Sequence, residues 1–297
     1  MSATPDLNAT TSYASGGRYW RRLAVDRLAT LLAGLAAALV ILPLVGIFGY
    51  LLYRGFGSVD LAFFTQIPKP VGETGGGMAN AIAGSGLLLL FASLIGIPLG
   101  VGSGIYLAEY GQNHFGNVVR FTADVLNGVP SIVVGVAVYA LIVLRQKHFS
   151  ALSGGVALGI MMVPIITRTT EEMLLMVPHV IREAALGLGI SRWRTTLSVT
   201  LPSAASGVIT GIMLAFARVA GETAPLLFTA FGNNFWSGDP RQPIAALPLQ
   251  IFIYAISPFE EWHRKAWAGA LVLVMLIVFS VCAVRLAVSH GRFRADR

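Results

Sequence analysis

Apolar residues run through this chain in six long blocks, at about 28–52, 80–106, 118–144, 154–176, 203–230 and 267–288, separated by polar breaks. A helix needs about 20 apolar residues to cross a bilayer at its rise of about 1.5 Å per residue, and each block meets that length. The pattern predicts an all-α polytopic membrane protein with six transmembrane helices. No polar run is left over for a separate soluble domain. The breaks after 106, 144 and 176 are short, so the limits of the second to fifth spans are the least sharply drawn. The first block follows Arg21 and Arg22 but is longer than a signal-peptide core of roughly 7 to 15 residues, so it reads as a retained helix.

The remaining segments have their own patterns. Residues 1–17 are rich in Ser, Thr, Ala and Gly and are expected to form a disordered part of a tail at 1–27, with a second tail at 289–297. The loop 53–79 carries Pro68, Pro70 and three successive glycines from Gly75. In 231–266 the apolar middle, Ile244 to Ile256, is broken by Pro248 and bounded by Pro243 and Pro258. It is too short to cross and reads as a short helix in the interface or dipping into the protein. Pairs of glycines four apart, Gly96 and Gly100, Gly155 and Gly159, Gly207 and Gly211, equip three spans for close helix contact. Pro98, Pro130 and Pro164 each remove a backbone donor and are expected to kink their helices.

Composition agrees: 55% of residues are hydrophobic and 12% charged, with a mean hydropathy of +0.73. Charge then sets the orientation, because Lys and Arg of short loops stay preferentially on the cytoplasmic side. With the N-terminus inside, twelve basic residues fall in inner segments and seven in outer loops, Arg168 and Arg218 lying within spans. Both termini and the polar break at 177–202 are therefore expected in the cytoplasm. The net charge of +7 is dispersed, which fits attraction to anionic lipid and gives no nucleic-acid footprint. The single Cys282 allows no intramolecular disulfide.

Several chemistries are absent. None of the three lysines, Lys69, Lys147 and Lys265, follows a glycine, so there is no phosphate-cradling GxxxxGK[ST] loop. Residues 152–156, LSGGV, imitate an ATPase signature but open a span, and read as coincidence. The five histidines show no HExxH spacing and no GxSxG occurs, so an enzyme is not expected. The charges within spans point elsewhere, since an Arg near the bilayer centre costs at least about 2.5 to 3.5 kcal/mol. Arg218 lies 16 residues beyond Pro202, about 24 Å along a helix and near mid-membrane, with Glu222 at i+4 on the same face. Arg168 lies within the fourth span. Two permanently protonated guanidiniums predict an oxyanion path, with Glu222 holding Arg218 when the path is empty. The competing reading makes Arg218 and Glu222 a structural pair and joins Arg168 to Glu171 or Glu172. Asp124 and Glu109 read as caps or salt bridges at inner ends.

The insert EAALGLGISRWRTTLSVTLP, 183–202, places Arg192 and Arg194 around Trp193 and ends on a proline that opens the fifth span. Its Glu183, Ala184, Ala185, Gly189, Leu201 and Pro202, with Val199 for an isoleucine, match the EAA coupling motif, and the chain resembles the permease subunits of ABC importers. IYLAEYG at 105–111, LNGVPSIVVG at 126–135, FARVAGETAPLLFTAFGNN at 216–234, PLQIF at 248–252 and AWAGALVLV at 266–274 are similar to the phosphate-specific branch, the PstA type. The resemblance covers most of 80–275 and implies a type I ABC importer permease fold in a bacterial inner membrane. It also implies a heterodimer with a second, homologous permease, two cytoplasmic ATPase subunits that use ATP and Mg, and an extracytoplasmic phosphate-binding protein. This chain would bind no cofactor of its own. Permeases of the same architecture for sulfate, molybdate or phosphonate, and a non-transporting scaffold or sensor, stand as alternatives.

Overall fold

A computed structural model of the chain describes residues 16–73 and 75–295, with side chains from residue 19 to 286. Most of the tail expected to be disordered, residues 1–15, lies outside the described residues, as do 296 and 297. Residues 16 and 17 are already helical. The described elements are α1 (Gly16–Phe56), α2 (Leu61–Thr65), α3 (Ala79–Tyr110), α4 (His114–Gly128), α5 (Ser131–Val138), α6 (Leu144–Gln146), α7 (Ala151–Leu175), α8 (His179–Gly187), α9 (Arg192–Thr195), α10 (Leu201–Ala220), α11 (Ala224–Thr229), α12 (Leu247–Ala255) and α13 (Glu260–Ala295). Two π-turns, Tyr139–Val143 and Thr196–Thr200, join α5 to α6 and α9 to α10. Two compact units divide the chain, one ending at Leu52 and one beginning at Tyr53. Among its described residues the first is a single helix, its apolar window exposed.

Among the described residues five helices are long and apolar enough to cross a membrane: Tyr19–Phe56, Ala79–Tyr110, Ala151–Leu175, Arg192–Ala220 and Glu260–Leu286. The expected third span, 118–144, is not one straight helix. Its two arms, His114–Gly128 and Ser131–Gln146, meet at 105°. Pro130 forces the break, because it supplies no N–H and pushes the preceding Val129 to an extended conformation, φ −70° and ψ 129°. The fifth span also differs from expectation at both ends, starting earlier at Arg192 and stopping at Ala220 rather than 230. The sixth continues as helix to Ala295, through most of the expected C-terminal tail.

Small residues set the core of the second unit. Ideal Cβ atoms on Gly96, Gly100 and Gly104 of α3 would lie 2.7, 2.6 and 2.5 Å from the Cβ atoms of Met162, Ile166 and Thr170 on α7. Gly155 and Gly159 return the contact against Phe91 and Ile95. The register rises together on both helices, so α3 and α7 run parallel. Gly207 faces Met173 and Gly211 faces Thr169, so α10 runs antiparallel to α7. All three glycine pairs thus sit where two helices touch, as close approach in lipid requires. A methyl at Gly104 would be forced 2.7 Å from the Thr167 carbonyl, whereas one at Gly102 on the same helix meets nothing within 4 Å. Gly104→Ala is expected to cost about 1 to 3 kcal/mol and Gly102→Ala essentially nothing, a contrast that thermal unfolding in detergent will read.

The LSGGV stretch is part of this packing. Ser153, Gly154 and Gly155 are buried, and Ser150 caps α7 by accepting from the Ser153 N–H at 3.1 Å. The next free donors, Ala151 and Leu152 N–H, reach the Gln242 and Pro240 carbonyls at 3.0 Å. Within segment 244–256 the short helix α12 lies in the protein, burying Leu247 and Tyr254 with Phe63, Met78, Ala268 and Val272, and Leu249 with Leu88 and Leu158 of the α3–α7 core.

Candidate functional site

α10 carries buried Ala215 and Val219 toward the core, and Leu214 and Arg218 on an exposed face. Arg218 lies in the last turn, where a cation is favoured by the unpaired carbonyls of the helix end. Among the described residues it has no ion-pair partner. The expected i,i+4 pairing with Glu222 does not form, because α10 stops at Ala220 and Gly221 caps it. Glu222 is instead in a tight turn, its N–H donating to the Val219 carbonyl at 3.1 Å, and α11 begins just beyond, at Ala224.

Arg168 is differently placed. Its guanidinium pairs with Asp124 and with Glu171, each at 3.0 Å. Glu171, only 3% exposed in its side chain, also receives Nε of Arg120 at 2.6 Å. Arg120 further donates to the Leu107 and Gly111 carbonyls at 3.0 and 2.9 Å, so it holds the last turn of α3 as well. This network joins α3, α4 and α7 and is formally neutral, two arginines against two carboxylates. Burial of Glu171 is tolerable because it is paired and hydrogen-bonded to both guanidiniums. The antiparallel register sets Arg218 level with Met162, so Arg168 is six residues, or about 9 Å, farther along the axis. The two arginines are therefore successive positions, and only Arg218 is unneutralised.

The expected coupling residues form a compact helix–turn–helix. In α8, Ala185 is buried while Glu183 and Ala184 are exposed. Gly189 ends the helix at φ +81°, with its N–H on the Leu186 carbonyl and that of Ile190 on the Ala185 carbonyl. Only a residue at ease with positive φ permits this reversal. Leu188 and Trp193 stand exposed at 83% and 57%, and the Arg194 guanidinium lies 5.3 Å from the Trp193 ring. Arg182 ties this insert inward, pairing with Glu109 of α3 at 3.2 Å and donating to the Leu174 carbonyl of α7 at 2.6 Å.

Pro202 does not begin the fifth helix as expected. Helix runs unbroken from Arg192 through the π-turn into α10, and Leu201 and Pro202 lie inside it. A proline within a helix lacks a donor and crowds the carbonyl four residues back, and the wider π-turn just before it makes room. One element thus carries both Trp193 and Arg218, about 38 Å apart along its axis. Sequence reasoning missed the Arg120–Glu171 pair. The one available signal was Arg120 and Asp124 at i,i+4 on α4, a face able to address a single neighbour. Among the described residues no group of three or more His, Cys, Asp or Glu is arranged to hold a metal ion.

A bundle of long apolar helices, with an exposed helix–turn–helix on one of them, defines a polytopic membrane protein. Residues 96–292 match the family described as binding-protein-dependent transport system inner membrane component, and the chain belongs to that family. It is a multi-pass membrane protein. Similar proteins include the phosphate transport system permease protein PstA of Yersinia pestis, 48% identical over 260 residues, 87% of this chain and 88% of that protein. The protein of the same description from Xylella fastidiosa strain Temecula1 is 46% identical over 269 residues, 90% and 93% of the two chains. Among solved structures, an inward-facing MetNI methionine ABC transporter superposes with a TM-score of 0.55 over 70% of this chain and 93% of its own, at 20% identity. That likeness concerns the fold alone.

Proposed function

We propose that this chain is one of two permease subunits in an ATP-driven importer of inorganic phosphate. The observation that carries this reading is the 41 to 48% identity to proteins described as PstA phosphate permeases, over 77 to 92% of the chain. Arg218 supplies the chemistry: an exposed guanidinium that has no ion-pair partner among the described residues and can take two oxyanion oxygens in one fork. Glu222, two residues beyond the helix end, keeps carboxylate character close by and discourages a trapped anion. Arg168, neutralised by its carboxylates, is a second station that becomes available only when the Asp124 and Glu171 contacts rearrange.

The chain crosses six times with both termini cytoplasmic. Parallel α3 and α7 demand a return crossing between them, and α4 to α6 provide it despite the bend. The segment from α8 to α9 then faces the cytoplasm and docks on one of two ATPase subunits, which bind ATP and Mg; Leu188 and Trp193 give the dock apolar area. ATP-driven closure of the ATPases moves this segment and its counterpart on the second permease. The Arg192–Ala220 helix transmits the movement, the path opens outward, phosphate enters from an extracytoplasmic binding protein, and hydrolysis reverses the cycle. Gly189→Val, which must adopt a left-handed backbone at a cost of about 1 to 2 kcal/mol, is expected to lower substrate-stimulated ATPase activity several-fold with phosphate binding unaffected. Unchanged stimulation would count against the docking role. For the substrate, uptake of labelled phosphate should persist in excess sulfate or molybdate; equal competition would favour a broader oxyanion importer.

A further inference from the structure

We propose that the second unit carries a lipid site for phosphatidylglycerol at the end of the bundle where α1 finishes and α13 begins. A cavity of about 430 Å³ opens there, within the usual range of small-molecule sites of about 300 to 1,000 Å³. Arg54, from the last turn of α1, and Arg264, from the first turns of α13, both line it. Arg264 is exposed and has no ion-pair partner among the described residues, although Glu260 lies one turn before it in the same cavity. Its neighbour Lys265 is engaged elsewhere, donating to the Gly75 carbonyl, so Arg264 is the one of this pair available to a ligand.

Position and charge select the ligand. Arg54 directly follows the apolar run of α1, and Arg264 directly precedes that of α13, so both guanidiniums sit at the level where hydrocarbon gives way to headgroups. Trp267, which also lines the cavity, is the residue type enriched at that level. Two arginines and one glutamate leave a net charge of +1, which complements a monoanionic phosphodiester and leaves a zwitterionic lipid unbalanced. Glu260 accepts hydrogen bonds from the glycerol hydroxyls of such a headgroup. Ile251, Ala255 and Ala270 form an apolar wall suited to the start of an acyl chain, which free phosphate does not possess. On the orientation proposed above this is the outer face, where basic residues are disfavoured, and a bound anionic lipid gives Arg264 a physical reason to be there.

Native mass spectrometry of the complete importer, titrated with phosphatidylglycerol, phosphatidylethanolamine or inorganic phosphate, tests the site. Phosphatidylglycerol should remain bound in preference to phosphatidylethanolamine. The Arg54→Gln/Arg264→Gln variant should retain about tenfold less, as expected for loss of a charge-assisted contact. Ala255→Trp, which fills the cavity and leaves both guanidiniums, should lose the lipid likewise, while Arg145→Gln/Lys147→Gln, outside the cavity, should keep it. Equal retention in the cavity and control variants, equal binding of phosphatidylethanolamine, or displacement by millimolar phosphate would each overturn the proposal.

Discussion

Replacing Arg218 by alanine is expected to reduce phosphate uptake by the assembled importer by about 10- to 100-fold, the worth of about 1.5 to 3 kcal/mol in charge-assisted hydrogen bonds. The side chain is exposed and holds no carboxylate among the described residues, so its removal leaves no charge stranded in the core. Assembly with the partner subunits and thermal stability should therefore be preserved. Arg218→Lys is expected to recover only part of the rate, since an ammonium offers a point charge and no fork. Uptake into proteoliposomes, with stability measured on the same preparations, separates a path residue from a structural one. Near-normal uptake by Arg218→Ala would remove the residue from the path.

The opposite profile is expected of Arg120→Ala. This change strips Glu171 of one of two cations and frees the Leu107 and Gly111 carbonyls at the end of α3. Glu171 is nearly inaccessible, so a destabilisation of about 3 kcal/mol follows from leaving buried charge under-compensated. Asp124, at the other end of the network, is 54% exposed in its side chain, and Asp124→Ala should cost less than about 1 kcal/mol. Thermal unfolding of the two variants in detergent checks the contrast. Equal losses would mean that the network is stabilised as a surface cluster and not through its buried carboxylate.

The helices were legible in the sequence because a bilayer imposes both their length and their apolarity, and the glycine pairs marked where they touch. Hydropathy could not show how the backbone runs inside an apolar block. Pro130 was expected to kink a span and in fact divides it, since Val129 is driven extended just ahead of it. Pro202 read as a helix start because proline favours a first turn, yet the π-turn at Thr196–Thr200 absorbs it and the helix begins ten residues earlier. At the candidate site, Arg168 and Arg218 stood out as costly charges; the competing reading offered Glu171 to Arg168 and the pair forms, whereas Asp124 as its second partner was not foreseen. Glu222 lost its helical spacing when α10 ended at Ala220. Glu171 found Arg120, 51 residues away, through a contact that only the packing of α4 on α7 creates.

The central claim is that this permease carries phosphate under the drive of a separate ATPase. Its most direct test is accumulation of labelled phosphate in proteoliposomes holding both permeases and the ATPase pair, with binding protein and phosphate outside the permeases and ATP on the ATPase side. Accumulation above the outside concentration, abolished by omitting ATP or by substituting the ATPase with an inactive form, is the expected result. Phosphate entry that proceeds equally without ATP, or no entry from a complex whose ATPase is active, would contradict it.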